Sequence, residues 1–444
     1  MIVVLGGGPA GRTAAITLAM GGREVTLVEK NGIGGQCLHY GCMMVCALNE
    51  AARALTSARH LHDLGVIDSV PGIRFPTLLS EMKTIQDKIA GILDAETRGC
   101  GVTIVYGKEG SIEGASVFLD GEKIDSDAVI AATGSRPAIP DVPGMNTEGV
   151  YTPHTISRMH ELPDEMVIIG GGIMAAEFAY IFQEFGSHVH LVSRSGLLKS
   201  LDPKILPLVR RELEATHIQE HTSLLSITRE DDISRVSLIS KGGSFEIPCD
   251  AVLVAAGLSP CSEMLTGIKK RSNGEVVVDR QMRTSMKGVY ACGDVIGSPR
   301  LTPVARREGF VAAENILGRE EFMDYTAIPQ SMSLFNEYAF VETDTSCAAA
   351  ASLPGPAGPG TFWSVPSGMT GFAKVSVDPE TGQLCGVESV GPAAGVITAY
   401  QAFLMREGIG VHEFEKFMEV HPMTDGVYPL MKFIAGKLKQ ERPS

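Results

Sequence analysis

A short apolar run that breaks into clustered glycines and then into a helix of small residues narrows the possible folds of this chain more than any other feature, and it occurs twice. Ile2–Leu5 leads into Gly6-Gly7-Gly8-Pro9-Ala10-Gly11 and the stretch Ala14–Ala19. Val167-Ile168-Ile169 leads into Gly170-Gly171-Gly172 and Ala175–Ala179. Each reads as strand, tight turn, helix. A second pair of segments repeats as well: Asp127-Ala128-Val129 runs on to Gly134, and Asp250-Ala251-Val252 runs on to Gly257, with the same seven-residue step. Two copies of one plan imply two related nucleotide-binding domains, and weigh against the plainer reading of chance glycine turns in one sheet.

The glycines have separable duties. Gly6 and Gly8 let the backbone turn and approach a pyrophosphate, Gly11 lets helix meet sheet, and the helix start offers unpaired N–H groups to phosphate. Glu29 ends the apolar segment Val25–Val28, 18 residues beyond Gly11, where a carboxylate can bind both ribose hydroxyls. In the second copy Gly170, Gly172 and Ala175 hold the matching places, but the same count from Ala175 reaches Ser193. Arg194 follows at once and Lys199 is near. Cations in place of a carboxylate suit a 2′-phosphate, so the pattern predicts NADPH in preference to NADH.

A length of 444 residues fits roughly three domains of ~100–200 residues. From about Tyr325 the pattern turns to β-alternation, as in Phe372–Asp378, then to helical periodicity over Tyr400–Arg406, which predicts a third, α+β domain. Ala348–Gly360, rich in Ala, Pro and Gly, reads as an exposed loop. No uninterrupted apolar run approaches the ~18 residues of a membrane span, and the first residues already read as a buried strand, leaving no room for a cleaved signal. A net charge of −14 without a basic run makes nucleic acid an unfavourable partner. Nine cysteines, an odd number in a chain of this size, suit a reducing cytoplasm better than a disulfide scaffold. Any close pair is therefore weighed for chemistry.

One pair stands out, in Gly34-Gly35-Gln36-Cys37-Leu38-His39-Tyr40-Gly41-Cys42. On a regular helix two residues five apart have Cα atoms about 8–9 Å apart, beyond the ~7 Å limit for a bridge. A bridged pair here requires the segment to leave ideal helix, which Gly34, Gly35 and Gly41 permit. The alternatives are two buried thiols or half of a metal site. No second cysteine or histidine pair at metal-ligand spacing supports the latter, and no metal is expected.

Gly-Gly-x-Cys-x-x-x-x-Gly-Cys shortly after the first glycine turn resembles the pyridine nucleotide-disulfide oxidoreductases that carry a dimerisation domain, such as dihydrolipoamide dehydrogenase, glutathione reductase and mercuric reductase. The likeness runs over nearly the whole chain: Ala132–Pro137 resembles a second flavin signature, Thr284-Ser285 through Val289–Asp294 a third, Leu301–Gly309 the segment beneath the isoalloxazine, and Ile328-Pro329-Gln330 to His421-Pro422 the dimerisation domain. The resemblance implies an α/β fold with two Rossmann-like dinucleotide-binding domains plus a C-terminal α+β dimerisation domain. Its divisions would be an FAD domain at 1–147 and 272–325, an NAD(P) domain at 148–271 and the dimerisation domain at 326–444. It implies that FAD is held by Gly6, Gly8, Pro9, Ala10, Gly11, Glu29, Lys30, Gly35, Gln36, Gly41, Ala132, Thr133, Gly134, Gly293, Asp294, Leu301, Thr302 and Ala305. NADPH or NADH would be held by Gly170, Gly172, Ile173, Met174, Arg194, Lys199 and Gly257. Cys42 would be the flavin-side thiolate, Cys37 the interchange thiol that meets a small thiol or disulfide substrate, and His421 the base reaching across a homodimer.

This chain departs from the family pattern in three ways. Met43-Met44-Val45-Cys46 replaces a Pro, a small residue and a Lys that pairs with a Glu at the position of Glu177. Cys46 stands four residues after Cys42, where a helix brings Cα atoms to about 6 Å, so it is a candidate third thiol as well as a candidate packing residue. The Glu that follows the family's histidine by five residues is Gly426 here, with Asp425 one residue early as its possible substitute. The last cysteine is Cys385, so no C-terminal cysteine pair of the mercuric reductase kind is present. Two other readings stay open: an NAD(P)H oxidase or diaphorase, and a non-turnover flavoprotein redox sensor.

Overall fold

The two repeated units fold as two parallel sheets whose strand ends face the glycine turns. A computed structural model describes residues 1–199, 201–343, 349–354, 361–416, 418 and 427–441. In the first unit β1 (Ile2–Leu5) is followed by α1 (Pro9–Met20) and β2 (Val25–Glu29). The chain continues through α2 (Gly35–His39), α3 (Cys42–Asp63) and α4 (Phe75–Gly99) to β3 (Thr103–Tyr106). The strand order is Val289–Ala291, Ala128–Ala131, β1, β2, β3, with every neighbour parallel. Such strands are covered on both faces, and β1 is accordingly buried at all four positions. The second unit repeats the plan in the order His217–Glu220, His188–Ser193, Glu165–Ile169, Ala251–Val254, Val150–Tyr151, all parallel, with α5 (Ile173–Phe185) after its glycine turn.

The glycines act by close approach. Gly6 has φ +105°, and a Cβ there would lie 2.2 Å from the Ala132 carbonyl oxygen, so only glycine lets β1 pass into α1 beside the strand Ala128–Ala131. The helix Thr302–Ile316 packs on α1, where a Cβ on Gly309 would lie 2.1 Å from the Ala10 carbonyl oxygen.

The third region is an antiparallel five-stranded sheet in the order Gln330–Ser333, Glu337–Glu342, Leu384–Gly391, Phe372–Val377, Ala349–Pro354, with the helices Ala394–Arg406 and Val427–Glu441 against it. The expected loop Ala348–Gly360 is corrected in part: Ala349–Pro354 is an edge strand paired antiparallel to Phe372–Val377, and the rest of that stretch lies outside the described residues. Small residues concealed the strand because its cohesion comes from main-chain pairing, and Pro354 is tolerated at the end of an edge strand. The helix read over Tyr400–Arg406 begins earlier, at Ala394.

One apolar core joins α3 and α5 to Met332, Leu334 and Tyr338 of the third region. Glu212 pins the same junction, accepting from Phe335 N, Asn336 N, Asn336 Nδ2 and Tyr338 Oη at 2.8–3.3 Å. Among the described residues no helix is long and apolar enough to cross a membrane.

Gly309→Ala should force α1 and the helix Thr302–Ile316 apart at a cost of about 1–3 kcal/mol, as overpacking does. Urea unfolding monitored by circular dichroism reads this as a lower midpoint.

Candidate active site

The cysteine pair is placed by a break between two helices. Gln36 O accepts both Tyr40 N at 2.9 Å and Gly41 N at 2.7 Å, which closes α2 within one turn, and Gly41 then takes φ −113°, ψ −121° before α3 starts at Cys42. Cys37 therefore sits in the only turn of one helix and Cys42 at the first position of the next. The two sulfurs are close enough to act on each other's ionisation.

Thr302, first residue of the helix Thr302–Ile316, has its hydroxyl 3.2 Å from Cys37 Sγ and 3.7 Å from Cys42 Sγ. Donation from Cys42 holds the Cys37 thiol down to about 6 against the opposing effect of burial, with Thr302 and Arg306 adding to the lowering. The same shared proton and burial push Cys42 up. In this arrangement the pair holds one proton between its sulfurs and one thiolate at neutral pH, the first charge residing on Cys37.

A cavity of about 1170 Å³ opens around the pair. Its wall includes Gly6, Gly8, Pro9, Ala10, Glu29, Lys30, Gly35, Gln36, Gly41, Ala132, Thr133, Gly134, Gly293, Asp294, Leu301, Thr302 and Ala305. Of the residues expected to hold FAD, Gly11 alone is absent from it. Gly11 is buried beneath the turn, where a Cβ would lie 1.9 Å from the Gly6 carbonyl oxygen. The strand ends of the first sheet supply most of this set: Gly6 after β1, Glu29 closing β2, Ala132 after Ala128–Ala131, and Gly293-Asp294 after Val289–Ala291. Buried Glu29 accepts from Gly7 N at 2.6 Å and Asn31 N at 2.7 Å, and Asp294 accepts from Ser135 Oγ at 2.6 Å. A cavity of this volume lined by both the glycine turn and the sulfur pair fits a dinucleotide carrying a flat redox ring.

Ile173, Met174 and Glu177, on the first turns of α5, line the same cavity. Glu177 accepts from Ser333 N at 2.9 Å, and burial, opposed by that bond, pushes its carboxyl up to about 7. Cys46 also faces the cavity on α3, its thiol raised by burial and by the nearby Cys42 and Glu177.

Gly170, Gly172, Arg194, Lys199 and Gly257 do not line this cavity. They lie at the ends of the second sheet's strands, with Arg194 and Lys199 exposed. Ser193 is buried, its hydroxyl donating to Gly196 O at 2.8 Å. Glu220, on the neighbouring strand, accepts from Leu197 N and pairs with Arg210. His421 and Asp425 lie outside the described residues.

Sequence reasoning missed several contributors. It placed Thr302 near the cofactor but not on the sulfurs, it put Ser135 in a flavin signature without its bond to Asp294, and it overlooked Arg53 and His154, whose ring stacks on Tyr40 with centroids 4.5 Å apart and contacts Gln36 Oε1 at 3.0 Å. These act across distant segments. The one local signal was the polar side chain of Thr302 at a helix start.

Two parallel dinucleotide units sharing one cavity with a cysteine pair define a flavin- and pyridine-nucleotide-dependent oxidoreductase acting on sulfur. Residues 1–309 match the family model for pyridine nucleotide-disulphide oxidoreductases, and the chain belongs to that family. Across 95% of its length it is 30% identical to a dihydrolipoyl dehydrogenase of Halobacterium salinarum, covering 93% of that protein. It is 27% identical to a mercuric reductase of Shigella flexneri over 98% of this chain and 79% of that one. The HOCl-induced flavoprotein disulfide reductase RclA of Escherichia coli shares the fold, with TM-score 0.85 and 22% identity over 97% of this chain and 99% of that one.

Replacing Thr302 with Val removes a hydroxyl that favours the thiolate. In the reduced protein, alkylation by iodoacetamide should be slow below about pH 6 and fast above it. In Thr302→Val the midpoint should move upward, toward the ordinary thiol range.

Proposed function

We propose that this protein is an NADPH:disulfide oxidoreductase in which Cys37 and Cys42 form the redox disulfide and a small disulfide, or in reverse a small dithiol, is the substrate. The observation that carries the reading is the shared cavity: the two sulfurs, the flavin-type turn at Gly6–Gly8 and the α5 residues Ile173, Met174 and Glu177 all line it. Bound FAD supplies two-electron transfer between nicotinamide and sulfur. In the reductive direction one NADPH and one proton convert one disulfide into two thiols.

The chain's own residues prepare that chemistry. Cys37 carries the first thiolate and is the attacking sulfur; Cys42, beside Thr302, is the sulfur that closes on it to expel the second product thiol. Leaving sulfurs need a proton, and His421 of a second copy supplies it, with Asp425 holding the imidazole tautomer. A homodimer is supported by the helix Ala394–Arg406, whose Val396 and Phe403, seven residues apart on one face, are 76% and 58% exposed. NADPH is favoured over NADH because Ser193 stands where a carboxylate would read the ribose, its hydroxyl is occupied by Gly196, and the cations Arg194 and Lys199 are exposed close to it in the chain.

Anaerobic NADPH should bleach the flavin, and the reduced protein should then reduce a panel of small disulfides. Cys37→Ser and Cys42→Ser should each remove disulfide turnover while sparing NADPH oxidation by an artificial acceptor such as ferricyanide. Retained turnover in either variant overturns the assignment and favours the oxidase or diaphorase reading. The double change Arg194→Ala/Lys199→Ala should lower kcat/KM for NADPH by about ten- to a hundredfold, at ~1.4 kcal/mol per factor of ten, and leave NADH nearly unaffected. Equal losses with both cofactors would show that these cations do not read the 2′-phosphate.

A further inference from the structure

Glu177 is a carboxyl set in the wall of the cavity that holds the cysteine pair, with one hydrogen-bond donor among the described residues, Ser333 N. The position on α3 that faces it is occupied by a thiol, Cys46. The cation that acts on Glu177 comes from further along α3. Residues 42, 46, 49 and 53 are four, seven and eleven apart, a spacing that sets Cys42, Cys46, Asn49 and Arg53 on one stripe of the helix. The stripe lies along the strand that also serves Glu177: Asn49 Nδ2 donates to Ser333 O at 2.8 Å and Arg53 Nε to Leu334 O at 2.6 Å. Arg53 Nη1 is 3.9 Å from Glu337, while its Nη2 is buried without a hydrogen-bond partner among the described residues. The guanidinium thus sits beside the same Ser333-Leu334 segment whose main chain holds Glu177.

The charged and titratable groups acting on Glu177 are therefore Cys42 and Arg53, both from α3. Glu337, from the strand Glu337–Glu342, and Cys46 complete the cluster. Arg53 favours the carboxylate. The thiolate charge of the sulfur pair, which shares its one proton across Cys37 and Cys42, opposes it.

We propose that Glu177 and Arg53 form a redox-linked proton site: Arg53 keeps Glu177 anionic while Cys37 and Cys42 are joined, and Glu177 takes up a proton when they part. The step balances. The disulfide and the Glu177 carboxylate gain two electrons and two protons, giving one thiol, one thiolate and the carboxylic acid. The electrons and one proton come from NADPH and the second proton from solvent. The centre thus keeps its overall charge through the cycle, and Arg53 is a positioning residue acting through Glu177. A carboxyl held near 7 in the dithiol state is poised for this exchange. The inference rests on the disulfide reading of the cysteine pair.

The test is infrared difference spectroscopy of the FAD-loaded protein at pH 7 during electrochemical reduction. The native protein should gain a carboxylic acid carbonyl band that Glu177→Gln lacks. Arg53→Met should show the acid band already when oxidised and gain none, whereas Arg53→Lys should behave as the native protein does. Cys46→Lys, which adds a second cation, should suppress the gain by keeping Glu177 ionised in both states, and it decides the matter if Arg53→Met fails to bind flavin. No band gained by the native protein, or an unchanged gain in Cys46→Lys, overturns the proposal. Thiol titration of the same samples separates the two ideas: if the oxidised protein still holds both Cys37 and Cys42 as free thiols, the disulfide reading itself fails.

Discussion

The chemistry of this protein depends on a carbonyl that closes one helix and lets another begin. Because Gln36 O takes the N–H groups of both Tyr40 and Gly41, α2 cannot run on, and Cys42 enters α3 from a new direction. An unbroken helix would hold the two Cα atoms about 8–9 Å apart, too far for a bridge. The break brings the sulfurs into mutual reach, and the cavity, the Thr302 hydroxyl and the wall of α5 are arranged around that meeting.

Charge at the centre is managed from several elements at once. Thr302 and Arg306, on the helix packed against α1, favour thiolate at the pair, while burial disfavours it. Across the cavity Glu177 holds a carboxyl that burial resists ionising and that Ser333 N and Arg53 support. With Cys46 where the family pattern has lysine, the positive charge acting on Glu177 is Arg53, further along α3, and the strand Gln330–Ser333 takes part through Ser333 N. The third region thus supplies the backbone that touches Glu177.

Much of the architecture was legible because it is written in local patterns. The glycine turns, their flanking apolar runs and the acid at Glu29 announce parallel strands ending at a phosphate site, and the structure gathers those strand ends around one cavity. The cysteine spacing with its flanking glycines foretold a departure from helix, and Tyr40-Gly41 is where it occurs. Less legible was anything resting on main-chain pairing or on distant partners. The edge strand Ala349–Pro354 carries no side-chain alternation strong enough to declare itself, and nothing near His154 in sequence shows that its ring stacks on Tyr40.

The sequence by itself determined the two strand-turn-helix units and the family, and it singled out the pair Cys37 and Cys42, since each depends on residue types at fixed short spacings that constrain backbone geometry. Tertiary structure alone decided which groups set the charge around that pair: Thr302 reaches sulfurs some 260 residues earlier in the chain, and Arg53, which acts on Glu177, meets Leu334 only because α3 packs against the third region. Electrostatic and hydrogen-bond energies depend on distance and burial in space, and neither quantity is encoded in separation along the chain.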